Sequence, residues 1–242
     1  MAPLDAARQA DKLTGIANVL LAIQGISIRF GGIVALDGVS FDVREGTIVG
    51  LIGPNGAGKT TMFNCVTRVY TPNAGNILLD GQSLLRLARH QVIGRGLART
   101  FQNVELFPRM TVIENVLCGL HIRVGTHPLH FLMAGLPFGT LKAIELARAI
   151  VSRPRLLLLD EPAGGLNHDE VSELGELIRR IHDELDLTTL VVEHHMNLVM
   201  GISEQVVVLD FGKKIAEGKP REVRENQAVI DAYLGAEADG AA

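Results

Sequence analysis

The sequence predicts an α/β fold built on a parallel sheet, with an antiparallel β lobe near the amino terminus. Apolar runs at 48–52, 156–159, 190–192 and 206–209 are typical of strands that are buried on both faces, as the strands of parallel sheets are. Segments with helical periodicity separate several of these runs, and a parallel sheet is connected in this way. Because no internal repeat is visible, we expect one such unit.

The antiparallel lobe is predicted from strand patterns at about 20–30 and 39–43 and from a hairpin-like return, NILLDG, at 76–81. Residues 1–18 carry mixed charge and no strand-pairing pattern, so we expect a mobile amino-terminal extension there. Residues 19–242 are expected to form a single domain.

Two helices are marked by the residues that begin them. Thr111 and Glu114 have the spacing of a capping box, which predicts a helix from Thr111 to about 120. Asn167 is a favourable cap for a second helix that extends to about 185. Residues 103–150 are expected to form a short helical subdomain around the first of these helices.

The segment GPNGAGKTT at 53–61 follows the apolar run at 48–52 and precedes a helix expected to run to about Val69. It fits the P-loop pattern, in which glycines turn backbone N–H groups onto phosphate oxygens at a helix N-terminus. Lys59 can reach the β- and γ-phosphates, and the Thr60 hydroxyl can bind Mg²⁺. The alternative is a glycine-rich turn without a ligand. The motif predicts a P-loop NTPase core that binds ATP through Gly53, Pro54, Asn55, Gly56, Ala57, Gly58, Lys59, Thr60 and Thr61.

A second acidic motif follows the leucine run at 156–159 and reads Asp160, Glu161, Pro162. Ligands of open α/β sheets bind at the carboxyl ends of the strands, where Asp160 can join Thr60 in holding Mg²⁺. Glu161 is then placed to polarise an attacking water. The alternative is an exposed acidic turn that ends a strand. The pair predicts hydrolysis of the nucleotide.

Four motifs occur in one order along the chain: GPNGAGKTT, TFQN at 100–103, LLLLDEP at 156–162 and LVVEHH at 190–195. In this the chain resembles the nucleotide-binding subunits of ABC transporters, from about Leu20 to Leu234. The resemblance implies that Phe30 stacks on adenine, that Gln102 binds Mg²⁺ and couples it to a membrane partner, and that His194 contacts the γ-phosphate. The alternatives are a strand-core Phe30, a loop amide at Gln102 and a strand-end imidazole at His194.

The resemblance also has two departures. The segment that would act as the family's signature at the partner's nucleotide reads Leu136, Pro137, Phe138, Gly139 and Thr140. Proline removes an N–H donor, although it suits the first turn of a helix that faces a phosphate. In addition, the stretch 103–135 is shorter than the family's helical subdomain. Either the subdomain is trimmed or the chain lacks a segment.

The sequences of the segment GGLN at 164–167 and of the tail at 193–235 resemble those of the ATPase subunits of branched-chain amino acid importers. This implies a second ATPase subunit in a homodimer or heterodimer, two transmembrane permease subunits and an extracytoplasmic substrate-binding protein. It also implies a peripheral position on the cytoplasmic face of the membrane. The transported solute itself does not follow from these residues.

Composition limits the other functions. The net charge of −4 argues against a nucleic-acid partner, which needs a basic face. A transmembrane helix needs about eighteen consecutive apolar residues, and no stretch of the sequence approaches this length. The apolar stretch at 16–23 resembles a strand rather than a signal peptide. Two alternatives remain: an ATP-binding regulatory or hydrolysis-impaired ABC subunit, suggested by the segment 136–140, and a soluble ABC ATPase outside transport.

Overall fold

A computed structural model of the chain describes residues 18–100, 106–120 and 138–239, with side chains except at 138 and 234–239. The strands of these ranges are β1 (Val19–Phe30), β2 (Ile33–Arg44), β3 (Ile48–Ile52), β4 (Ala74–Leu79), β5 (Gln82–Ser83), β6 (Leu97–Arg99), β7 (Leu156–Asp160), β8 (Thr188–Val192), β9 (Gln205–Asp210) and β10 (Lys213–Gly218). The helices are α1 (Lys59–Val66), α2 (Arg89–Gly94), α3 (Val112–Cys118), α4 (Phe138–Ile150), α5 (His168–Leu185), α6 (Met196–Ile202), α7 (Pro220–Arg224) and α8 (Gln227–Asp239), with a 3₁₀ turn at Leu84–Arg86.

The strands form two sheets. The larger has the order β10-β9-β3-β8-β7-β6, and its strands are parallel except for β10, which is antiparallel to β9. The smaller has the order β2-β1-β4-β5 and is antiparallel. The predicted α/β class, with a parallel core and an antiparallel lobe, is confirmed.

Three neighbouring strands, β3, β8 and β7, lead into the segments that contain the predicted site residues. Every residue of β3, β7 and β8 is buried, which explains why their sequences are apolar rather than alternating. Leu51 of β3 and Asp160 of β7 both pair with Val192 of β8, so the three strands end together. The loops that follow them therefore begin side by side at one edge of the sheet.

Each face of the larger sheet is covered by helices. α1 and the smaller sheet share one apolar cluster with β3, whereas α5 packs on β7 through Val171, Leu174 and Ile178. A third cluster joins Ile52 and β9 to α6 and the carboxyl-terminal helices. Both sides of the strands are thus sealed, and their carboxyl ends remain the accessible part of the site.

The two capped helices begin as expected. Thr111 Oγ1 accepts a hydrogen bond from Glu114 N at 3.0 Å, and Glu114 Oε2 accepts one from Thr111 N at 2.8 Å. Asn167 Oδ1 accepts from the amides of Asp169 and Glu170, each at 3.0 Å. Both predicted caps are confirmed, and α5 ends at Leu185 as expected.

Other boundaries differ from the sequence expectation. β2 begins at Ile33, well before the predicted 39, because its first residues pair with the end of β1. α1 ends at Val66 instead of about Val69, since Arg68 adopts a left-handed φ of 61°. The predicted amino-terminal extension lies outside the described residues apart from Asn18.

Candidate nucleotide-binding site

The loop between β3 and α1 is fixed at both ends and open in the middle. Gly53 has φ 150°, and a Cβ there would lie 2.1 Å from the Leu209 carbonyl oxygen. Gly58 has φ 101°, and a Cβ there would lie 2.7 Å from the Ala35 oxygen. At Gly56 a Cβ would meet nothing within 4 Å. Only glycine fits the two ends, while the middle of the loop leaves space for a ligand.

Lys59 is buried at the first turn of α1, and its ammonium group spans the loop. Lys59 Nζ donates to the carbonyl oxygens of Gly53 at 2.7 Å and Pro54 at 2.9 Å. Burial lowers its pKa below the ordinary 10.5, while the charges of Glu161, Asp160 and Glu193 act in the opposite direction. The cation of the loop and the carboxylates of the neighbouring strands are therefore coupled electrostatically.

The other residues of the predicted P-loop divide by exposure. Ala57 is buried, and its carbonyl oxygen accepts a hydrogen bond from Gly212 N at 3.1 Å. Asn55 and Thr60 are exposed, and Pro54 and Thr61 are half-buried. The hydroxyl that the motif assigns to Mg²⁺ is thus on a residue open to solvent.

Asp160, the last residue of β7, is buried and paired with Arg99 of β6. Arg99 Nη2 lies 2.5 Å from Asp160 Oδ2, and the two side chains are 8% and 4% exposed. Arg99 Nη1 also donates to Asn64 Oδ1 at 2.8 Å and Thr67 Oγ1 at 3.1 Å. The guanidinium carbon lies 5.5 Å from the Phe63 ring centroid. Arg99 consequently connects the strand of Asp160 to the helix that follows the loop.

Glu161 and His194 lie near each other beyond the ends of β7 and β8. Glu161 has a left-handed φ of 46°, and its amide donates to the Val192 carbonyl oxygen at 2.8 Å. Its Oε2 lies 3.9 Å from His194 Nδ1, with side chains 17% and 49% exposed respectively. Lys59, Asp160, Glu161 and His194, which the sequence predicts as site residues, therefore converge at one edge of the sheet.

The sequence interpretation missed Arg99 and Glu193. Glu193 follows β8 and is fully buried, and its Oε1 accepts from Ala163 N at 2.6 Å. The signal available for Glu193 was an acidic residue directly after the wholly buried strand TTLVV. Arg99 ends a strand of only three residues, which carries no periodic pattern.

Phe30 lies at the end of β1 in the antiparallel sheet. Its side chain is 44% exposed, and its ring meets the Tyr70 ring edge-on with the centroids 5.0 Å apart. The alternative that Phe30 belongs to the strand core is therefore wrong. Its contact with adenine stays a prediction.

The predicted signature segment is described in part. Gln102, Leu136 and Pro137 lie outside the described residues, and Phe138 is described in its backbone alone. Phe138, Gly139 and Thr140 form the first turn of α4. A Cβ on Gly139 would lie 3.5 Å from Glu170 Oε1, so this turn faces the beginning of α5.

Comparison with known proteins decides the family. Residues 36–164 match the family model of the ABC transporter, and residues 213–239 match that of the branched-chain amino acid ATP-binding cassette transporter. The chain belongs to the ABC transporter family. The tail that the sequence interpretation associated with the branched-chain branch overlaps the second match.

Individual relatives of this ABC protein agree. It is 41% identical over 253 aligned positions to BraF of Pseudomonas aeruginosa, a high-affinity branched-chain amino acid transport ATP-binding protein, covering 91% of this chain and 99% of the relative. LivG of Escherichia coli, of the same description, is 40% identical with equal coverage. The aligned length exceeds the 242 residues here, so these relatives contain residues that this ABC protein lacks. The shortened helical subdomain stays a prediction.

Solved structures match the fold. The ADP conformation of MJ1267, an ATP-binding cassette of an ABC transporter, has a TM-score of 0.81 at 25% identity, covering 90% of this chain and 99% of that one. A nucleotide-free ATP-binding cassette has a TM-score of 0.79 at 25% identity, with coverage of 89% and 98%. Among the described helices of the ABC protein, none combines the length and apolar character needed to cross a bilayer.

The buried ion pair leads to a first prediction. Arg99→Met leaves the Asp160 carboxylate buried without its cation, and breaking such a pair costs about 3–5 kcal/mol. We expect a loss of this size in the free energy of unfolding, measured by urea titration without nucleotide. Adding Asp160→Asn to Arg99→Met should recover part of the loss, because the stranded charge is then removed.

Arg155 offers the matched control. It pairs with Asp80 at 2.6 Å and Glu45 at 3.3 Å, but its side chain is 29% exposed. Solvent-exposed pairs contribute about 0–1 kcal/mol, so Arg155→Met should cost clearly less. Equal losses in the two variants would show that Arg99 is not a special support of Asp160.

Proposed function

We propose that this ABC subunit binds and hydrolyses ATP and that the energy drives import of branched-chain amino acids. The observation that carries the proposal is the convergence of Lys59, Asp160, Glu161 and His194 at the carboxyl edge of the parallel sheet, directly beside the P-loop. A cation, a buried carboxylate and a second carboxylate beside an imidazole are the groups that phosphoryl transfer to water requires.

The loop residues fit a triphosphate. The open middle at Gly56 and the N-terminus of α1 present backbone donors to an anion, and Lys59 exchanges its two carbonyl acceptors for phosphate oxygens. The loop needs little rearrangement to bind, because Gly53 and Gly58 let its two ends pack closely against Leu209 and Ala35. Phe30, exposed and in contact with Tyr70, supplies a ring for adenine.

The site also offers side-chain oxygens to a metal ion. Mg²⁺ suits them, because it prefers carboxylate, hydroxyl and phosphate oxygens as ligands. Thr60, Asp160 and Gln102 are the residues that would hold it, and the ion would neutralise charge on the phosphates. Asp160 already has one oxygen fixed by Arg99. Arg99 therefore limits the orientations of the carboxylate.

Glu161 is the group that we assign to the attacking water. Its carboxylate is partly accessible, unlike that of Asp160, so it can accept a hydrogen bond from a water and orient it. His194 lies close to Glu161 and is the more exposed of the two, so it can contact the γ-phosphate and the same water. A hydrolysis-impaired regulatory subunit would not need this second pair of groups.

The partners follow from the family. We propose that two ATPase subunits, identical or different, face each other and that the segment 136–140 of each acts at the nucleotide of the other. Two transmembrane permease subunits and an extracytoplasmic binding protein complete the importer, with this subunit on the cytoplasmic face. The relatives BraF and LivG, described as branched-chain amino acid transport ATP-binding proteins, support the cargo.

Two substitutions separate binding from hydrolysis. Glu161→Gln keeps the shape of the side chain but weakens its action on water, so we expect ATP affinity within about twofold of the wild type and turnover lower by about 10²–10⁴-fold. Lys59→Ala should instead weaken ATP binding itself, because the phosphates lose a counter-ion. Fluorescent-nucleotide binding and phosphate release measure the two effects. Near-normal turnover in Glu161→Gln would remove Glu161 from the mechanism.

The cargo requires a transport assay. In cells that lack this subunit, ATP-dependent uptake of labelled leucine should stop, while leucine binding by the extracytoplasmic protein is unchanged. The matched control is a strain complemented with Glu161→Gln, which should assemble the complex but not restore uptake. If leucine uptake continues and transport of another solute is lost, the ATPase function stands and the cargo is wrong.

A further inference from the structure

Glu193 is a fully buried carboxylate at the end of β8, and three backbone amides donate to it. Its Oε1 accepts from Ala163 N at 2.6 Å. Its Oε2 accepts from His194 N at 3.0 Å and from His195 N at 3.3 Å. The two oxygens therefore face different partners.

These partners belong to two loops. Ala163 is in the loop after β7, which begins with Glu161 and continues into the segment 164–167. His194 and His195 are in the loop after β8. Between the strands, Glu161 N donates to the Val192 oxygen at 2.8 Å, and beyond that bond the Glu193 carboxylate continues the connection. The two loops are thus joined by a side chain where the ladder of the sheet ends.

A carboxylate is chemically required for this arrangement. Both oxygens must accept, and an amide side chain has only one acceptor oxygen. A buried charge is costly unless hydrogen bonds compensate it, and hydrogen bonds to a charged acceptor are the stronger kind. Glu193, His194 and His195 also bring potential metal-ligand atoms within 4.8 Å of one another, but three backbone amides already occupy most of the acceptor sites of the Glu193 carboxylate.

We propose that Glu193 is a positioning residue that holds His194 and the loop of Glu161 in one fixed relation. This inference rests on the proposed function, in which Glu161 orients the water and His194 contacts the γ-phosphate. His194 Nδ1 lies 3.8 Å from Glu193 Oε2 and 3.9 Å from Glu161 Oε2, so one ring nitrogen is close to both carboxylates. A displacement of segment 164–167 reaches His194 through the Glu193 carboxylate. Glu193 itself is sealed from solvent and takes no part in bond breaking.

The test is Glu193→Gln in the full chain. The side-chain bridge between the two loops is the set of hydrogen bonds from Ala163, His194 and His195 to Glu193. In the variant, the backbone amides on one side of this bridge meet an N–H₂ group instead of an acceptor oxygen. The two loops then lose their fixed spacing. We expect kcat for ATP hydrolysis to fall by about tenfold or more, since small displacements of positioned groups have effects of this size. ATP affinity should stay within about twofold, because the Glu193 carboxylate makes its hydrogen bonds to Ala163, His194 and His195 and not to the loop at 53–61. Unchanged kcat would overturn the proposal.

A double substitution shows whether Glu193 acts through His194. If it does, Glu193→Gln combined with His194→Ala should be about as slow as His194→Ala alone. Independent structural damage would instead multiply the two losses, and that result would contradict the positioning role.

Thr188 provides the matched control. It is buried at the opposite end of β8, and its hydroxyl accepts from Gly46 N at 2.9 Å. Thr188→Val also removes an acceptor from a backbone amide, so it should lower stability. It should leave kcat unchanged. A similar fall of kcat in both variants would make the Glu193 effect a general consequence of weakening β8.

Hydrogen exchange gives a readout that does not depend on hydrolysis. In Glu193→Ala, amide protection should fall together in the segments 163–167 and 194–195 relative to the wild type. In Thr188→Val, both segments should keep their protection. Loss of protection in one segment alone would refute the side-chain bridge. Failure of the wild type to hydrolyse ATP would refute the proposed function instead. The exchange result would then still decide whether Glu193 joins the two loops.

Discussion

The common ending of β3, β8 and β7 is the constraint on which the site depends. Because Leu51 and Asp160 both pair with Val192, the residues that follow each strand leave the sheet at the same edge. The burial of all fifteen positions makes this register costly to change, since a shift would move polar loop residues into the apolar interior. The P-loop, the acidic pair and the histidine loop therefore meet without any long connecting structure.

The same edge concentrates charge on side chains that are largely buried. Arg99 pairs with Asp160, Lys59 donates to the loop carbonyls, and the Glu193 carboxylate accepts hydrogen bonds from three backbone amides. Each buried charge thus has a partner of a different kind, which is how charges persist inside proteins. The two groups left nearer to solvent, Glu161 and His194, are those that the proposed mechanism directs at the attacking water. The groups that it assigns to the phosphates and the metal, Lys59 and Asp160, are buried.

Local motifs made much of the site predictable from sequence. The P-loop and the Asp160–Glu161 pair are contiguous, and each follows a strand whose composition identifies it, so fold and site were predicted together. Arg99 and Glu193 were not predicted, because their partners are distant in sequence and become neighbours only through strand order. The strand order β8-β7-β6 cannot be deduced from the sequence of any single segment.

Helix α3 shows a different limit. Its capping box was read correctly from Thr111 and Glu114, yet Ile113 is 65% exposed while Asn115 is fully buried. Asn115 Nδ2 donates to the Phe107 and Thr111 carbonyl oxygens at 3.1 and 3.0 Å, which satisfies the buried amide. Capping is a local interaction that sequence spacing specifies, whereas burial depends on what packs against the helix.

Metal-directed cleavage tests the proposal that a metal–nucleotide complex binds between the P-loop and the end of β7. Fe²⁺ can replace Mg²⁺, and with ascorbate and peroxide it generates radicals that cut the backbone near the ion. In the presence of ATP, we expect cuts near Thr60 and near Asp160, identified by mass spectrometry, and their loss when excess Mg²⁺ is added. Cuts that do not depend on ATP, or that avoid both segments, would contradict the site described here.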